Sequence, residues 1–265
     1  MQNLIEIRPG RYVNIINIKH NSDCTLFFFH GVGGRSAQWR YQIAFFAKRY
    51  SIIAMDYLGH GNSLKPKPQN NTSLYNFEAM SADVQAVFNR YKTQHNFVMG
   101  HSYGGAVALH LASQQADIEK IILLAPLPYN LKIPLRPLLY LPNSWLQLVR
   151  ILLAKQVYKR LFNTDTNPEL ILTEMHNNAA NPIYAIKNML LGIAHMPIID
   201  LSTIRQSILI IASPDDQIIS LQDIKNFYTQ LPNSQFKIIK KVNHLMMLEK
   251  PEIINQLIDN FLKEK

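Results

Sequence analysis

A serine hydroxyl becomes a useful nucleophile only when a base takes its proton and a third group orients that base. The run Gly100-His101-Ser102-Tyr103-Gly104-Gly105 sets a serine between glycines two residues to either side. It follows the apolar run Asn96-Phe97-Val98-Met99 and precedes Ala106-Val107-Ala108-Leu109. A strand that passes straight into a helix must bend sharply at such a serine, and the glycines let neighbouring chain pack against the bend. The hydroxyl then projects, and the helix N-terminus favours negative charge developing beside it. The five-residue pattern alone occurs by chance. Its place between a strand and a helix makes Ser102 the candidate nucleophile.

In an α/β chain with that turn, the acid and then the histidine follow the serine in sequence. Ser213-Pro214-Asp215-Asp216 follows the apolar run from Ser207 to Ala212, and Val242-Asn243-His244 follows the run from Gln235 to Lys240. Both therefore fall at carboxyl ends of predicted strands, where open α/β sheets collect ligand-binding groups. His244 is the candidate base, and Asp215 and Asp216 compete for the orienting role. His176 and His195 lie in a proline-rich middle segment, and His20, His95 and His110 in surface or helical contexts. No two of the nine histidines have metal-binding spacing, so no metal and no cofactor is expected.

Acyl transfer also needs two backbone N–H groups aimed at the oxyanion, each worth about 3–4 kcal/mol. Tyr103, directly after the nucleophile, is expected to supply one. The other is expected from the loop His30-Gly31-Val32-Gly33-Gly34, which follows the apolar run Thr25 to Phe29. Val32 is the candidate donor there and Gly33 the fallback.

The elements around these residues alternate between short β-rich runs and longer helical patterns, which predicts a mainly parallel sheet. A hairpin is expected over Leu4–Ile7 and Tyr12–Ile18, then strands at 25–29, 51–55, 96–99, 120–125, 207–212 and 235–240. Helices are expected over 37–48, 74–91, 103–114, 221–231 and 251–262. The rhythm breaks between 127 and 206, a stretch with seven prolines that reads as several short helices. Residues 1–126 and 207–265 thus form an expected core, and 127–206 a helical cap inserted into it. Trp145, Leu148, Val149 and Leu152 share a helical face with Arg150 turned away. The simplest expectation is that this stripe packs onto the sheet domain. The alternative is a lid or acyl-chain wall near a membrane surface, flanked by Arg136, Arg150, Lys155 and Lys159. Lys65 to Asn71 reads as an exposed loop.

Taken together, these motifs resemble the α/β-hydrolase-fold superfamily, in particular its capped bacterial hydrolases and mammalian α/β-hydrolase-domain proteins. The resemblance rests on His30-Gly31-Val32-Gly33 with Trp39, Asp56 through Ser63, the Ser102 turn, Ser213 to Asp216, and His244 through Pro251. It covers nearly the whole chain outside the cap. It implies that the acid stands three residues after the glycine ending its strand, which selects Asp216 and leaves Asp215 to cap the turn. Ser213 replaces that glycine here. Asp56 through Ser63 resembles a common family loop whose role is structural, with Asp56 bonding backbone amides and His60 near the pocket without an assigned role. Members with an aspartate nucleophile are disfavoured by Ser102.

Composition narrows the partners. The 265 residues are 48% apolar and 17% charged, enough for a substantial core. The formal charge of +9 is scattered without basic runs, so nucleic acid is not expected and an anionic surface remains open. Cys24 is the single cysteine, which precludes an intrachain disulfide. No leader-like pattern opens the chain, and a cytoplasmic protein is expected. The leading expectation is a carboxylic-ester hydrolase acting on an apolar small-molecule substrate through an acyl-enzyme. A thioesterase, an amidase or a carbon–carbon bond hydrolase would use the same residues. A ligand-binding protein that keeps the fold without turnover is the reading of another class.

Overall fold

The computed structural model describes residues 2–68, 74–129 and 136–264. Gln69 to Asn71 of the expected exposed loop, Pro134 and the side chain of Arg136 lie outside that description. In chain order the elements are β1 (Gln2–Arg8), β2 (Arg11–Ile18), β3 (Cys24–Phe29), α1 (Arg40–Phe46), β4 (Ser51–Met55), α2 (Phe77–Tyr91), β5 (His95–His101), α3 (Tyr103–Ala112) and β6 (Ile118–Leu124). The insertion follows, with α4 (Asn143–Leu161), α5 (Pro168–Ala179) and α6 (Ile183–Ile193). Then come β7 (Ser207–Ala212), α7 (Leu221–Tyr228), β8 (Ser234–Ile238), α8 (Met246–Glu249) and α9 (Pro251–Lys263).

The strands form one sheet in the order β1-β2-β4-β3-β5-β6-β7-β8. β2 runs antiparallel to β1 and β4, and from β4 to β8 every neighbouring pair is parallel. Side chains alternate across a strand, so each central strand feeds two cores. Phe27, Phe29, Val98, Ile121, Leu123 and Ile210 pack on the side covered by α2, α3 and α7. Leu26, Phe28, Met99, Ile122, Leu124 and Ile211 pack on the side covered by α1 and α9. That two-sided burial explains why the central strands read as unbroken apolar runs.

Element ends follow from local chemistry. α2 begins at Phe77, three residues later than expected, because the Asn76 side chain accepts from the Ala79 N–H and caps it. The expected helix over 37–48 divides into a 3-10 turn at Ser36–Trp39 and α1. Pro142 and Pro182 directly precede α4 and α6, and Pro168 and Pro251 open α5 and α9. Proline's fixed φ and missing N–H suit a helix start.

Two expectations for the insertion are corrected. α4 spans 19 residues, so the segment is not made of short helices alone. Its stripe does not pack on the sheet domain: Trp145, Leu148 and Leu152 are 61%, 51% and 68% exposed. The opposite side turns inward because the Arg150 guanidinium donates to the main-chain oxygens of Asn181 (2.7 Å) and Asn178 (2.9 Å). Charged donors on carbonyls are worth about 1.5–3 kcal/mol each, enough to set which face a helix presents. The described part of the Lys65–Asn71 loop is at the surface and tied down at two points. Tyr184 and Tyr75 hydroxyls donate to the Lys65 and Pro66 oxygens at 2.6 and 2.5 Å, and of Lys65 to Pro68 Lys67 is exposed and the others half-buried. No helix among the described residues is long and apolar enough to cross a membrane.

Candidate active site

Between β5 and α3, Ser102 adopts φ 52° and ψ −118°, a left-handed backbone that an L residue rarely takes. Its N–H donates to the Leu124 oxygen (3.0 Å), and its carbonyl accepts from Gly105 (2.9 Å) and Leu127 (3.0 Å). These bonds hold the strained residue in place. The flanking glycines are required by close approach. A Cβ on Gly104 would lie 2.2 Å from the Phe29 oxygen, and one on Gly100 would lie 2.3 Å from the Gly104 oxygen. The hydroxyl-bearing residue stays half-exposed between neighbours that are buried.

Two strands away, Asp216 and His244 meet. The His244 Nδ1 lies 2.8 Å from Asp216 Oδ2, with both side chains almost fully buried. Asp216 Oδ1 accepts from the N–H groups of Ile218 (2.8 Å) and Ile219 (3.0 Å). A carboxylate held this way accepts the Nδ1 proton and leaves the Nε2 lone pair as the ring's proton acceptor. Asp215 is exposed and instead accepts the Lys241 N–H (2.7 Å), where the chain turns through φ 59°. Ser213 ties β7 to the histidine loop, because its hydroxyl donates to the Val242 oxygen (2.7 Å) and accepts the Asp215 N–H (3.1 Å). Asn243 Oδ1 accepts the N–H groups of Gln217 and His244 across the same gap.

The loop after β3 lies against the serine. A Cβ on Gly31 would come within 3.2 Å of Ser102 Cβ. Gly34 donates to the Gly31 oxygen (3.1 Å), and Gly33 donates to His60 Nε2 (3.2 Å). Among the described residues nothing accepts the Val32 N–H, so the loop presents Val32 rather than Gly33 as its available donor. Tyr103 opens α3, where a helix leaves its first N–H groups without intrahelical partners.

Three further imidazoles surround this loop. His30 Nε2 accepts from the Tyr57 N–H (3.1 Å), and its Nδ1 bonds the Gly31 oxygen (2.7 Å). His60 accepts from Gly33 and bonds the Leu58 oxygen (3.3 Å). An N–H can only donate, so both rings are neutral with the proton on Nδ1. Burial lowers them accordingly, His30 to about 4 and His60 to about 3. His101 Nε2 lies 3.0 Å from the His244 oxygen, and the two rings sit 4.7 Å apart. Burial, then repulsion from His244, holds His101 well below the usual imidazole range. Asp56 joins the set by accepting from Ser36 (2.6 Å), Asn62 (2.8 Å) and the Asn14 amide (2.9 Å). Burial pushes its carboxyl up, and His30 with the Asn62 and Ser36 donors more than offsets that.

Sequence reading left His60 without a role, where it accepts the Gly33 N–H, and missed the insertion's Asn178 and Asn181, whose amides both reach the Gly33 oxygen at 2.8 Å. It also missed Glu249, which accepts from the Asn243 N–H, the Asn163 N–H and the Thr166 hydroxyl. A glutamate directly after the apolar run Leu245 to Leu248 was the available signal.

A family model described as alpha/beta hydrolase fold matches residues 25–251. Protein ABHD8 of Mus musculus is 29% identical over 247 residues, covering 91% of this chain and 55% of that protein. Its Homo sapiens counterpart is 28% identical over 268 residues, covering 96% and 60%. The chain therefore spans less than two thirds of these relatives. The uncharacterized hydrolase YugF of Bacillus subtilis is 27% identical over 250 residues and covers 90% of each chain. Among solved structures, an esterase from Exiguobacterium antarcticum superposes with a TM-score of 0.87 at 18% identity over all of both chains. At that identity the likeness shows the fold alone.

Proposed function

The chain belongs to the alpha/beta hydrolase family, and from that premise we propose that it hydrolyses carboxylic esters with Ser102, His244 and Asp216 as its catalytic triad. The observation that carries this reading is the 2.8 Å pairing of His244 Nδ1 with Asp216, with Ser102 held in a strained turn at a strand end of the same sheet. In the first step Ser102 Oγ attacks the ester carbonyl carbon while His244 Nε2 takes its proton. The carbonyl oxygen becomes an oxyanion held by the Val32 and Tyr103 N–H groups. Collapse expels the alkoxide, which leaves as an alcohol with the proton from His244. Water, deprotonated by His244, then attacks the acyl-enzyme, and Ser102 regains its proton as the acid departs.

A fluorophosphonate probe tests the nucleophile: it should label the wild type and leave Ser102→Ala unlabelled, with turnover reduced by more than about 10³-fold. Equal labelling of both proteins sinks the assignment. Acyl esters of increasing chain length, set against acyl-thioesters, decide the bond. Tight ligand binding without product release would favour the binding-protein reading.

We further infer that the substrate is an apolar ester met at an anionic lipid surface. Trp145, Leu148, Ile151 and Leu152 are exposed on one face of α4, and the exposed Lys155 and Lys159 continue that face. An apolar patch followed by cations matches a negatively charged bilayer better than neutral water or a second basic copy of a chain with charge +9.

A further inference from the structure

An oxyanion donor works only if its N–H points at the right spot, about 2.7–3.1 Å from the developing charge. Val32 offers such an N–H from a loop rich in glycine, which alone would hold no direction. The Val32 N–H and the Gly31 carbonyl share one peptide plane and point oppositely, so whatever holds the Gly31 oxygen aims the Val32 N–H. That oxygen bonds His30 Nδ1 (2.7 Å) and the Gly34 N–H (3.1 Å). Gly34 is in turn placed by the peptide that joins it to Gly33, whose oxygen receives two amide donors.

Both donors come from the insertion. Asn178, in the last turn of α5, and Asn181, in the turn before α6, each lie 2.8 Å from the Gly33 oxygen. Asn181 is 1% exposed, and its Oδ1 also accepts the Gly61 N–H (2.9 Å), so one buried amide joins two loops of the sheet domain. Gly33 itself has φ 74°, and a Cβ there would lie 2.3 Å from Asn178 Nδ2. The insertion thus occupies the space beside the loop and bonds it. Behind the asparagines, Arg150 of α4 grips both of their main-chain oxygens, and Arg35 bonds Asn177 Oδ1 (3.0 Å).

We propose that Asn178 and Asn181 are positioning residues that fix the direction of the Val32 N–H, so the insertion completes the oxyanion hole as well as bordering the site. This rests on the reading of Ser102 as nucleophile. An element that chooses the substrate would then also set the rate of the chemical step.

The test uses the full chain and the variants Asn178→Asp and Asn178→Ala/Asn181→Ala, with Lys187→Ala as control. Lys187 bonds the Leu141 oxygen (2.9 Å) within the insertion and does not touch the loop. Amide hydrogen exchange across residues 30–36 should quicken in the asparagine variants and not in the control. With p-nitrophenyl acetate, kcat should fall about tenfold in the single variant and about 100-fold in the double, below the ceiling for a lost oxyanion donor. KM should stay within about threefold, since the interaction lost belongs to the transition state. An alkyl trifluoromethyl ketone, which forms an oxyanion on Ser102, should weaken by the same factor as kcat. Unchanged exchange, or a raised KM with kcat intact, overturns the proposal and leaves the asparagines as a structural latch. Asn178 is only half-buried, so its variant keeps the question answerable if the double variant fails to fold. A wild type that neither turns over ester nor takes the fluorophosphonate label sinks the reading of Ser102, while the exchange rates still decide whether the insertion holds the loop.

Discussion

The loops at the carboxyl ends of the strands and the helical insertion between β6 and β7 hold themselves together by different means. In the loops that carry Asp216 and Ser213, polar groups find partners inside the sheet domain: Asp216 takes two amides and one imidazole, and Ser213 closes onto the histidine loop. The insertion rests its α6 residues Ala185, Met189 and Ile193 on one core and Tyr158 on the other. Much of its remaining attachment is polar, from Glu174 to Arg40 and Gln38, from Tyr184 to Lys65, and from the two asparagines to Gly33. Single hydrogen bonds contribute about 1 kcal/mol net, so such latches yield to sequence change or motion more readily than a shared core does. In the proposed reading Ser102, Asp216 and His244 are seated at strand ends, while the more readily moved insertion both faces the substrate and latches the loop that carries Val32.

The sharpest break of that comparison is within the loops. Asp216→Asn keeps the shape but offers His244 Nδ1 a donor in place of an acceptor, and kcat should fall about 10³–10⁴-fold. Asp215→Ala, one residue away, should leave kcat within about threefold and cost about 1 kcal/mol of stability through the lost Lys241 bond. Kinetics with an activated ester beside denaturant titration measure both. Equal loss of activity in the two variants would remove Asp216 from the orienting role.

A second contrast sets core against insertion. Phe28→Ala removes a fully buried ring packed 5.3 Å from Trp39 and should cost about 3–5 kcal/mol. Leu148→Ala, on the exposed face of α4, should change stability by no more than about 0.5 kcal/mol. Urea midpoints report both. A large cost at Leu148 would mean that its face is covered in solution.

The neutral imidazoles under the oxyanion loop give the site a pH limit. In the unfolded chain both titrate near 6.5, whereas folded they resist protonation to about 4 for His30 and about 3 for His60. The unfolded state binds the extra protons, so stability is complete above about pH 6.5 and declines as pH falls through 4 toward 3. The loss should be on the order of 3 kcal/mol per group. Melting temperature followed from pH 7 to pH 4 should drop steeply in the wild type and less steeply in His60→Gln. Parallel slopes would remove His60 from the account.

How much of this was legible in the sequence depends on how local each signal is. Ser102 sits in a five-residue pattern, and His244 follows a strand, so both could be named without coordinates. Asp216 could not be separated from Asp215 by spacing alone, and the family resemblance was needed. Asn178 and Asn181 meet Gly33 from 145 and 148 residues away and nothing local marks them, whereas His60 lies in the Asp56–Ser63 motif and only its bond to Gly33, 27 residues away, is hidden. The facing of α4 is illegible in the sequence for a related reason. Arg150 is satisfied by main-chain oxygens, which every residue carries, so the apolar stripe looked like the inward side when it is the outer one.

That outward stripe carries the smallest and most distinctive expected effect. The wild type should co-sediment with vesicles of mixed phosphatidylglycerol and phosphatidylcholine, and less with phosphatidylcholine alone. Leu148→Ser/Leu152→Ser should weaken binding by roughly 10- to 100-fold, since each buried aliphatic side chain is worth about 1.5–3 kcal/mol at full burial and an interface buries only part of it. Lys155→Gln/Lys159→Gln should weaken binding to the anionic vesicles alone, by about fivefold per charge, as expected for about 1 kcal/mol per basic residue near such a surface. Hydrolysis of a short water-soluble ester should be unchanged in both, because neither pair touches Ser102, His244 or the Gly33 latch. Concentration-dependent self-association that the serine pair abolishes, with no vesicle binding, would give the face to a second copy of the chain. The insertion would then serve assembly, and the contrast between the strand-end loops and the insertion would lose its membrane side.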